Sequence, residues 1–535
     1  WNAWAIKCAA LLACVPVILY GIVSGMSPST QRAVIMVIGF LMTFLFEQKQ
    51  DTLNTLAVAA FVILVISPTS LFSVSFQLSF AAVFFIVYAS LKLIKKDLQD
   101  NRTLTKTVRK IVLFFLVSLF AILGTLPMVA FYFNQISFSG IFSNFLLIPI
   151  IGFIVVPTGL LSVVLFPFSI STAEFGIKIC GFILEKTIIL IQFISDIPFS
   201  AFKTITPNFF EITCFYLLLI AFINFKKQAS NSVHKKARVA AIVIMSLLAI
   251  DIGYWFHQRF LQSNLKITVF DVGQGSAALV EFPGSYRMLI DGGGFSDNST
   301  FDVGEKILAP FLWQNKIRTV DTIVLSHPNC DHLNGLIYIA RHFHVKNIWT
   351  NNESAESKSY QNFLDVIKSR EIQMPAFENI QRSDIISGVG IDILYPPNNF
   401  LEKKTIEHWR DSNNNSLVIR LTFGSISFLF PGDIMAEGEN ELADISGSWL
   451  KSSLLIAPHH GSRTSSTIKL LKFIDPDVVV ISSGWKNRYG MPHPVVLKRY
   501  KKIGCEIFRT DLQGAISIKT NGNELDVMPT IRLEE

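Results

Sequence analysis

The sequence predicts an α-helical polytopic membrane domain over residues 1–261, followed by an α/β soluble domain over residues 262–535. Composition is the first reason: the 535 residues include 46 Phe, half are hydrophobic, and the mean hydropathy is +0.44. Such a chain is too apolar for a soluble enzyme. The second reason is a change of pattern, because long apolar runs stop near residue 261 and shorter runs separated by turns begin.

Nine apolar stretches in the first half approach the length of about 17 to 25 residues that crosses a bilayer. They predict about nine membrane spans, at residues 4–24, 31–46, 52–68, 71–91, 111–132, 139–167, 175–195, 209–225 and 239–256.

Charge predicts the orientation of these spans. Residues 1–261 hold 19 Lys and Arg against 9 Asp and Glu, whereas residues 262–535 hold 28 against 31. The basic excess is concentrated in the linkers 92–110 and 226–238, which the positive-inside rule places in the cytoplasm. Four spans lie between these linkers and one follows the second, so the soluble domain is predicted to be extracytoplasmic.

Polar and helix-breaking residues mark a possible transport path in the membrane half. The stretch 139–167 contains Asn144 and is interrupted by Pro149, Gly152, Pro157, Gly159 and Pro167. Broken helices line substrate paths in many transporters, although a Pro-kinked packing helix has the same pattern. Asn144 and Gln77 are predicted to line a channel, and hydrogen bonds between helices are the alternative role for both.

The second half alternates short strands with helices, which is typical of a layered α/β domain. Helices are predicted at residues 333–342 and 465–473. Strands are predicted at residues 267–270, 276–282, 286–290, 322–325, 417–423, 425–430, 454–456, 478–482 and 515–519.

A loop after the buried strand 322–325 carries the first candidate metal ligands. His327, Asp331 and His332 lie within six positions, and adjacent residues such as Asp331 and His332 leave a loop in different directions. Two neighbouring metal positions are therefore possible. Asp291, Asp433, and the pair His459 and His460 follow other strands of the same domain.

These segments together resemble the metallo-β-lactamase superfamily, whose fold has αββα layers. In that resemblance His327 belongs to a first metal position, Asp331 and His332 to a second, and Asp433 to both. His459 completes the second position, with His460 as the alternative, and Asp291 orients a ligand. Two departures weaken the first position: Asn329 stands where a histidine is usual, and residues 413–416, at the third motif, contain no histidine.

The resemblance narrows to the ComEC family of DNA-internalisation competence proteins. Met491 departs from the histidine often found in that family, whose N-terminal spans and small β-rich domain are also missing. We therefore expect an N-terminally truncated piece. The similar segments are 25–29, 76–80, the stretch around Asn144, 271–275, 414–417, 458–462 and 488–494.

The predicted catalytic residues are Asp331, Asp291 and His460. The predicted metal ligands are His327, Asn329, Asp331, His332, Asp433 and His459, and they favour one or two divalent ions, Zn²⁺ or Mn²⁺. Arg463, Lys486, Arg488 and His493 are predicted to contact phosphates, with a solvated basic face as the alternative.

The function predicted from this resemblance is uptake of transforming single-stranded DNA across the bacterial inner membrane. The extracytoplasmic domain would be a metal-dependent nuclease that degrades the non-transported strand. Single-stranded DNA, the lipid bilayer and other competence proteins are the expected partners. Two alternatives remain: a membrane-anchored metallohydrolase of an envelope phosphodiester, and a DNA channel whose outer domain binds DNA without cleaving it.

Overall fold

The computed structural model describes residues 2–45, 51–91, 106–224 and 231–532. The chain forms two compact units, Trp1–Ala249 and Ile250–Glu535. This division falls within the long helix Asn231–Phe260, twelve residues before the predicted boundary between residues 261 and 262. Most of the two basic linkers, residues 92–105 and 225–230, lies outside the described residues.

Helices form at all nine apolar stretches of the first unit. Their bounds are Asn2–Val23, Pro28–Leu45, Thr52–Ile66, Val74–Ala89, Lys106–Phe133, Ser139–Ile150 continued by Val156–Leu165, Ile170–Asp196, Phe209–Asn224 and Asn231–Phe260. Five segments in the described parts of the chain are long and apolar enough to cross a membrane: Trp4–Val23, Pro28–Leu45, Ile111–Phe133, Phe142–Leu165 and Arg238–Phe260. The total of about nine spans stays a prediction, because three apolar helices are shorter and Ile170–Asp196 contains five charged residues.

The Pro-interrupted stretch remains helical throughout. A π-helical turn, Ile151–Val155, joins Ser139–Ile150 to Val156–Leu165. Proline has no amide hydrogen to donate, so a local change in the hydrogen-bond pattern between Pro149 and Pro157 is the expected result. A short antiparallel pair of strands, Gln135–Ser137 and Ala201–Lys203, also belongs to this unit.

The second unit contains two seven-stranded sheets. The first has the order Leu525–Pro529, Ile516–Thr520, Leu265–Val269, Ala278–Glu281, Arg287–Ile290, Thr319–Leu325, His344–Thr350. The second has the order Glu506–Arg509, Val478–Ile481, Leu454–Ile456, Ile426–Phe430, Val418–Phe423, Val389–Tyr395, Ser383–Ile386. The main helices are Ala309–Gln314, Cys330–His342, Lys358–Ser369, Phe400–Lys404, Ala436–Ser446, Ile468–Ile474, Pro494–Ile503 and Thr510–Gln513.

Alternating strand residues build the αββα layers. Val280 of the first sheet and Phe428 of the second share the core between the sheets. The neighbouring Leu279 instead packs among helix residues such as Leu336, and Leu429 packs beside Leu442 on the other side. Successive side chains of a strand point to opposite faces, so each sheet buries one face on the other sheet and one on helices. The predicted fold class is confirmed.

Each of the nine predicted strand stretches contains a strand, and five strands of this unit were missed. The missed strands are His344–Thr350, Ser383–Ile386, Val389–Tyr395, Glu506–Arg509 and Leu525–Pro529. Three of them place charged or polar residues between apolar ones; four are edge strands, and Val389–Tyr395 lies next to an edge strand. Edge strands bury less apolar surface, so their hydrophobic signal is weaker.

Parallel pairing explains how distant loops meet. Arg287–Ile290 pairs in parallel with Thr319–Leu325, and Ile426–Phe430, Leu454–Ile456 and Val478–Ile481 are parallel neighbours in the other sheet. The carboxyl ends of parallel strands share one edge of a sheet. The loops that follow these five strands carry the candidate site residues.

Candidate metal centre

Asp291 orients the loop that carries the first candidate ligands. It follows the strand Arg287–Ile290 in the left-handed region, with φ of 58°. One carboxylate oxygen accepts the Ser326 amide at 2.8 Å, and the other accepts the Ser326 hydroxyl at 2.8 Å and faces His332 Nδ1 at 2.7 Å. Because Nδ1 contacts this carboxylate, the other ring nitrogen of His332, Nε2, points away from Asp291 and towards Asp433.

The first turn of the helix Cys330–His342 presents Asp331 and His332. Asn329 precedes this helix in extended conformation, and its carbonyl accepts the amides of His332 and Leu333. His332 is fully buried, whereas Asp331 retains about a third of its side-chain surface. The helix therefore aims a buried imidazole and a partly exposed carboxylate at the same place.

Asp433 faces the same point from the second sheet. Its Oδ1 lies 3.2 Å from His332 Nε2, and its amide donates to Ser416 Oγ at 3.0 Å. Gly432 before it has φ of 59°, and a Cβ there would lie 2.7 Å from the Ser416 Cβ. Glycine is needed because both its conformation and this close approach exclude a side chain.

The neighbouring histidines His459 and His460 occupy different positions. Both have left-handed backbone, with φ of 50° and 54°, a conformation that is strained for residues with a Cβ and that recurs at functional sites. His460 Nε2 lies 3.5 Å from one oxygen of Asp331 and 3.5 Å from one of Asp433, while its Nδ1 faces the Ser482 carbonyl at 3.1 Å. His459 approaches only Asp433, at 3.9 Å.

Four side chains converge closely enough to hold one ion. One donor atom from each of Asp331, His332, Asp433 and His460 lies within 4.8 Å of the others. The Nε2 atoms of His332 and His460 are buried and form no hydrogen bond with any described residue. Such groups rarely remain unsatisfied unless something binds them. Two nitrogens and two carboxylates are a suitable donor set for a divalent transition metal, so these residues fit the metal that the sequence predicts.

The neighbouring histidines keep the two carboxylates of this group ionised. Burial opposes ionisation of Asp331, but the His460 ring and the charge of His332 outweigh it and lower the pKa of Asp331 to about 2. Burial is likewise outweighed at Asp433, where His332 and His460 hold the pKa well below its usual value. Both carboxylates are therefore charged at neutral pH.

His327 lies beside this group. Its ring centroid is 4.2 Å from that of His332, and its Nδ1 faces the hydroxyls of Ser326 and Ser416 at 3.0 and 3.3 Å. Its buried Nε2 has no hydrogen-bond partner among the described residues. Burial, together with the nearby His332, lowers the pKa of His327 to about 4, so the ring is neutral at pH 7.

Asn329 does not join the four converging residues. Its amide nitrogen donates to Asn413 Oδ1 at 2.6 Å, and its oxygen accepts the Ser412 hydroxyl at 3.2 Å. Asn329, which stands where the superfamily has a histidine, is thus hydrogen-bonded to the segment in which the third-motif histidine is missing. Of the predicted ligands, His332, Asp331 and Asp433 converge with His460, while His327 and His459 lie at the margin.

Three serines support the site and were missed as functional candidates. Ser326 links Asp291 to the His327 and His332 rings, Ser416 links His327 to Asp433, and the Ser482 carbonyl faces His460. Ser326 and Ser482 each follow a parallel strand directly, which was the available signal. Serine is too common after strands for that signal to stand alone.

The four predicted phosphate-binding residues differ in their surroundings. Arg463 is exposed, Lys486 and Arg488 lie on the loop after the strand Val478–Ile481, and Arg488 lines a cavity that also reaches Asp331. His493 instead caps the helix Pro494–Ile503, where its Nδ1 accepts the Val495 amide at 3.2 Å.

The two predicted channel residues differ in their contacts. Gln77 accepts the Tyr132 hydroxyl at 2.8 Å and donates to the Leu71 carbonyl at 2.9 Å, so it links two helices. Asn144 is half-buried, and its side chain forms no hydrogen bond within the described ranges. A role in transport remains a prediction for both.

Comparison with protein families agrees with this architecture. Residues 2–229 match the family model described as Competence protein, and residues 270–485 match the Metallo-beta-lactamase superfamily. The two matches follow each other along the chain in the order of its two units. In both of its halves this chain is similar to the ComEC family.

Curated relatives match almost the whole length of this chain. ComE operon protein 3 of Bacillus subtilis (strain 168) is 26% identical over 94% of this chain and 62% of its own length. Competence protein ComA of Neisseria gonorrhoeae is 24% identical over 96% of this chain and 65% of its own. The chain thus spans less than two thirds of these relatives. Among solved structures, the metallo hydrolase Igni18 from Ignicoccus hospitalis covers 48% of this chain and 98% of its own at 16% identity, with a TM-score of 0.31.

The competence-protein match and the apolar helices indicate a membrane protein, and the second match gives it a metallo-β-lactamase domain. The His and Asp cluster of that domain is suited to metal binding.

Proposed function

We propose that this protein takes part in uptake of single-stranded DNA across the bacterial inner membrane, and that its second unit is a metal-dependent phosphodiesterase that cleaves DNA outside the cytoplasm. The observation that carries the hydrolytic part is the convergence of Asp331, His332, Asp433 and His460 within 4.8 Å. The transport part is supported by the match of residues 2–229 to the competence-protein model and by the apolar helices.

Each converging side chain is held in place by a neighbour. Asp291 fixes the His332 ring through Nδ1, and the Ser482 carbonyl fixes the His460 ring in the same way. In both rings Nε2 is thereby the nitrogen directed at the carboxylates. A site whose ligands are set by such contacts loses little entropy when it binds an ion.

The residues favour one ion over two. The four converging groups correspond to the second metal position of the superfamily, whereas the first retains only His327 and a share of Asp433. When bound there, a divalent ion lowers the pKa of a water molecule and offsets the negative charge of a phosphodiester. The mixed nitrogen and carboxylate donors accept Zn²⁺ or Mn²⁺.

Asp331 lies at the edge of the site, where the adjacent cavity opens. Its carboxylate is the most exposed of the four, and it lines the adjacent cavity. A substrate phosphate entering from that cavity therefore meets Asp331 first. The His332 and Asp433 side chains lie deeper and exclude solvent from the opposite side.

Nuclease activity of the purified chain in detergent tests the hydrolytic proposal. Single- and double-stranded DNA are incubated with Mn²⁺ or Zn²⁺, and Asp331→Ala and Asp433→Ala are compared with the wild type. We expect metal-dependent cleavage that both variants reduce by at least about 100-fold, since a catalytic metal contributes several kcal/mol to the transition state. Asp526→Ala, at an exposed aspartate on the strand Leu525–Pro529, is the control.

A second candidate function rests on the hydrogen bonds of Asn329 to Asn413 and Ser412. An outer domain with an incomplete first metal position is also suited to bind DNA without cleaving it. Metal-loaded, folded protein that binds DNA and leaves it intact would support this candidate and exclude the nuclease.

A further inference from the structure

A cavity of about 740 Å³ opens beside the candidate metal centre. Its wall is formed by residues from the segments 271–274, 294–296 and 484–489, together with Cys330 and Asp331. Asp331 is thus common to the cavity and to the group of converging ligands. Whatever occupies the cavity lies next to the proposed reaction site.

Three exposed aromatic side chains line this cavity. Trp485 is 69% exposed, Tyr489 is 54% exposed and Phe295 is 40% exposed. Single exposed aromatics are ordinary on protein surfaces, but three around one concave site are characteristic of ligand binding. Their flat faces offer stacking surfaces.

The loop that carries two of these rings, residues 484–490, is held in shape by Asn487. The Asn487 amide nitrogen donates to the Gly484 carbonyl at 2.8 Å, and its oxygen accepts the amides of Tyr489 and Met491 at 3.2 and 3.1 Å. A Cβ on Gly484 would lie 2.9 Å from the backbone nitrogen of Gln274, so the loop also packs closely on the segment 271–274. A loop ordered in this way loses little entropy on binding.

Cations accompany the rings. Lys486 Nζ lies 4.5 Å from the centre of the Trp485 ring, and the Arg488 guanidinium lies 4.9 Å from the centre of the Tyr489 ring. Arg488 also donates to the Tyr489 hydroxyl at 2.7 Å. Alternating aromatic and cationic side chains are the combination that binds single-stranded nucleic acid, because rings stack on bases and cations attract phosphates.

The cavity wall also contains an unused hydrogen-bond acceptor. Gln274 Oε1 is buried and has no hydrogen-bond partner in the described ranges, while its amide nitrogen contacts the Met491 sulfur at 3.4 Å. The ring N–H of thymine or the exocyclic amino group of another nucleobase is the kind of donor that satisfies such an oxygen.

We propose that this cavity is a base-binding subsite, in which an unpaired nucleobase of single-stranded DNA stacks on Trp485 while Lys486 and Arg488 contact the adjacent phosphates. The proposal rests on the function proposed above and specifies its substrate. Bases inside a duplex are already stacked on both faces, so they cannot stack on a protein ring without leaving the helix. The subsite therefore selects unpaired DNA for the neighbouring centre.

The test measures binding without cleavage. The purified 535-residue chain in detergent, kept in EDTA, is titrated against two fluorescein-labelled 15-mers, oligo(dT) and an oligonucleotide of the same length with abasic sites throughout. Fluorescence anisotropy reports the affinity. Trp485→Ala, Trp485→Phe and Trp449→Ala are compared, because Trp449 is also exposed, at 65%, yet does not line the cavity.

We expect Trp485→Ala to weaken binding of oligo(dT) about tenfold and to leave binding of the abasic oligonucleotide unchanged. Trp485→Phe should restore most of the affinity, and Trp449→Ala should match the wild type. Arg488→Ala should weaken binding of both oligonucleotides to the same extent.

The proposal of a base-binding subsite would be overturned if wild type and Trp485→Ala bound oligo(dT) with equal affinity. It would also be overturned if Trp485→Ala lost affinity for both oligonucleotides equally. Because the assay contains EDTA, its outcome does not depend on hydrolysis. If Trp485→Ala shows the base-dependent loss of affinity but the wild type has no nuclease activity with metal, the subsite is supported and the proposed hydrolytic function is rejected.

Discussion

At the scale of single residues, the two neighbouring histidines His459 and His460 show how one position along the chain changes a role. Adjacent side chains in left-handed backbone leave the turn in different directions, and only His460 reaches both Asp331 and Asp433. His460 is buried, whereas His459 retains 18% of its side-chain surface.

We therefore predict different effects of removing each ring on metal binding. His460→Ala should lower the affinity for Mn²⁺ or Zn²⁺ by at least about 10- to 100-fold, since even a residue that only orients a ligand has an effect of this size. His459→Ala should retain an affinity near that of the wild type. Metal per chain, measured by mass spectrometry after dialysis against graded metal concentrations, checks this. Greater loss from His459→Ala would reverse the assignment.

At the scale of elements, the helix Cys330–His342 is positioned by glycine contacts. A Cβ on Gly335 would lie 2.0 Å from the Gly292 carbonyl oxygen, and the Gly335 amide donates to the Gly293 carbonyl at 2.9 Å. The helix that presents Asp331 and His332 thus lies directly on the backbone that follows Asp291. Only glycine permits this approach.

Gly335→Ala should consequently lower the free energy of unfolding by at least about 2 kcal/mol and weaken metal binding, because the helix must move away from residues 292–293. Gly390→Ala is the matched control, since a Cβ there meets its nearest atom at 3.7 Å. Urea unfolding of the purified chain and metal content are the measurements. Similar stabilities of the two variants would contradict the packing argument.

A buried carboxyl group joins two other helices of the second unit. Glu439, in the helix Ala436–Ser446, accepts the amides of Ser466 and Thr467, the latter at 2.6 Å. Burial raises its pKa to about 7 from an ordinary value of 4.5, although these hydrogen bonds oppose the rise. The folded state therefore binds this proton more tightly than the unfolded state does.

The sign of the pH effect follows from this difference. The stabilisation is complete below about pH 4.5 and is lost as pH rises through about 7, by up to about 3 kcal/mol at roughly 1.4 kcal/mol per pH unit. Glu439→Gln should be less stable at pH 5, because it loses one acceptor, and should lack this pH dependence. Urea unfolding at pH 5, 6, 7 and 8 checks the prediction, and parallel curves for the two proteins would refute it.

At the scale of the whole molecule, orientation in the membrane remains a prediction from charge. The second basic linker is expected in the cytoplasm, and one candidate span, Arg238–Phe260, follows it. An odd number of crossings after a cytoplasmic segment places the second unit outside.

Cysteine labelling in spheroplasts tests this orientation. In a cysteine-free background, Arg463→Cys should react with a membrane-impermeant maleimide before lysis, because Arg463 is exposed on the second unit. Lys96→Cys, in the first basic linker, should react only after lysis. The opposite pattern would place the proposed nuclease in the cytoplasm and exclude its proposed role.

The sequence by itself determined the division into a membrane half and an αββα half, because long apolar runs and short alternating runs are local patterns. It also predicted which loops carry the candidate ligands, since Asp291 follows a strand directly and His327 and Asp433 lie two and three positions after other strands. The five missed strands include Ser383–Ile386 and Leu525–Pro529, whose hydrophobic pattern is weak because each lies at the edge of a sheet.

The tertiary structure alone decided which side chains meet. Parallel pairing of Ile426–Phe430 with Leu454–Ile456 brings Asp433 to His460, and the left-handed turn selects His460 in place of His459. Asn329 joins Asn413 because their loops approach each other in space, 84 positions apart along the chain. Such distances depend on strand order and on backbone conformation summed over the whole domain, so the spacing of residues along the sequence does not contain them.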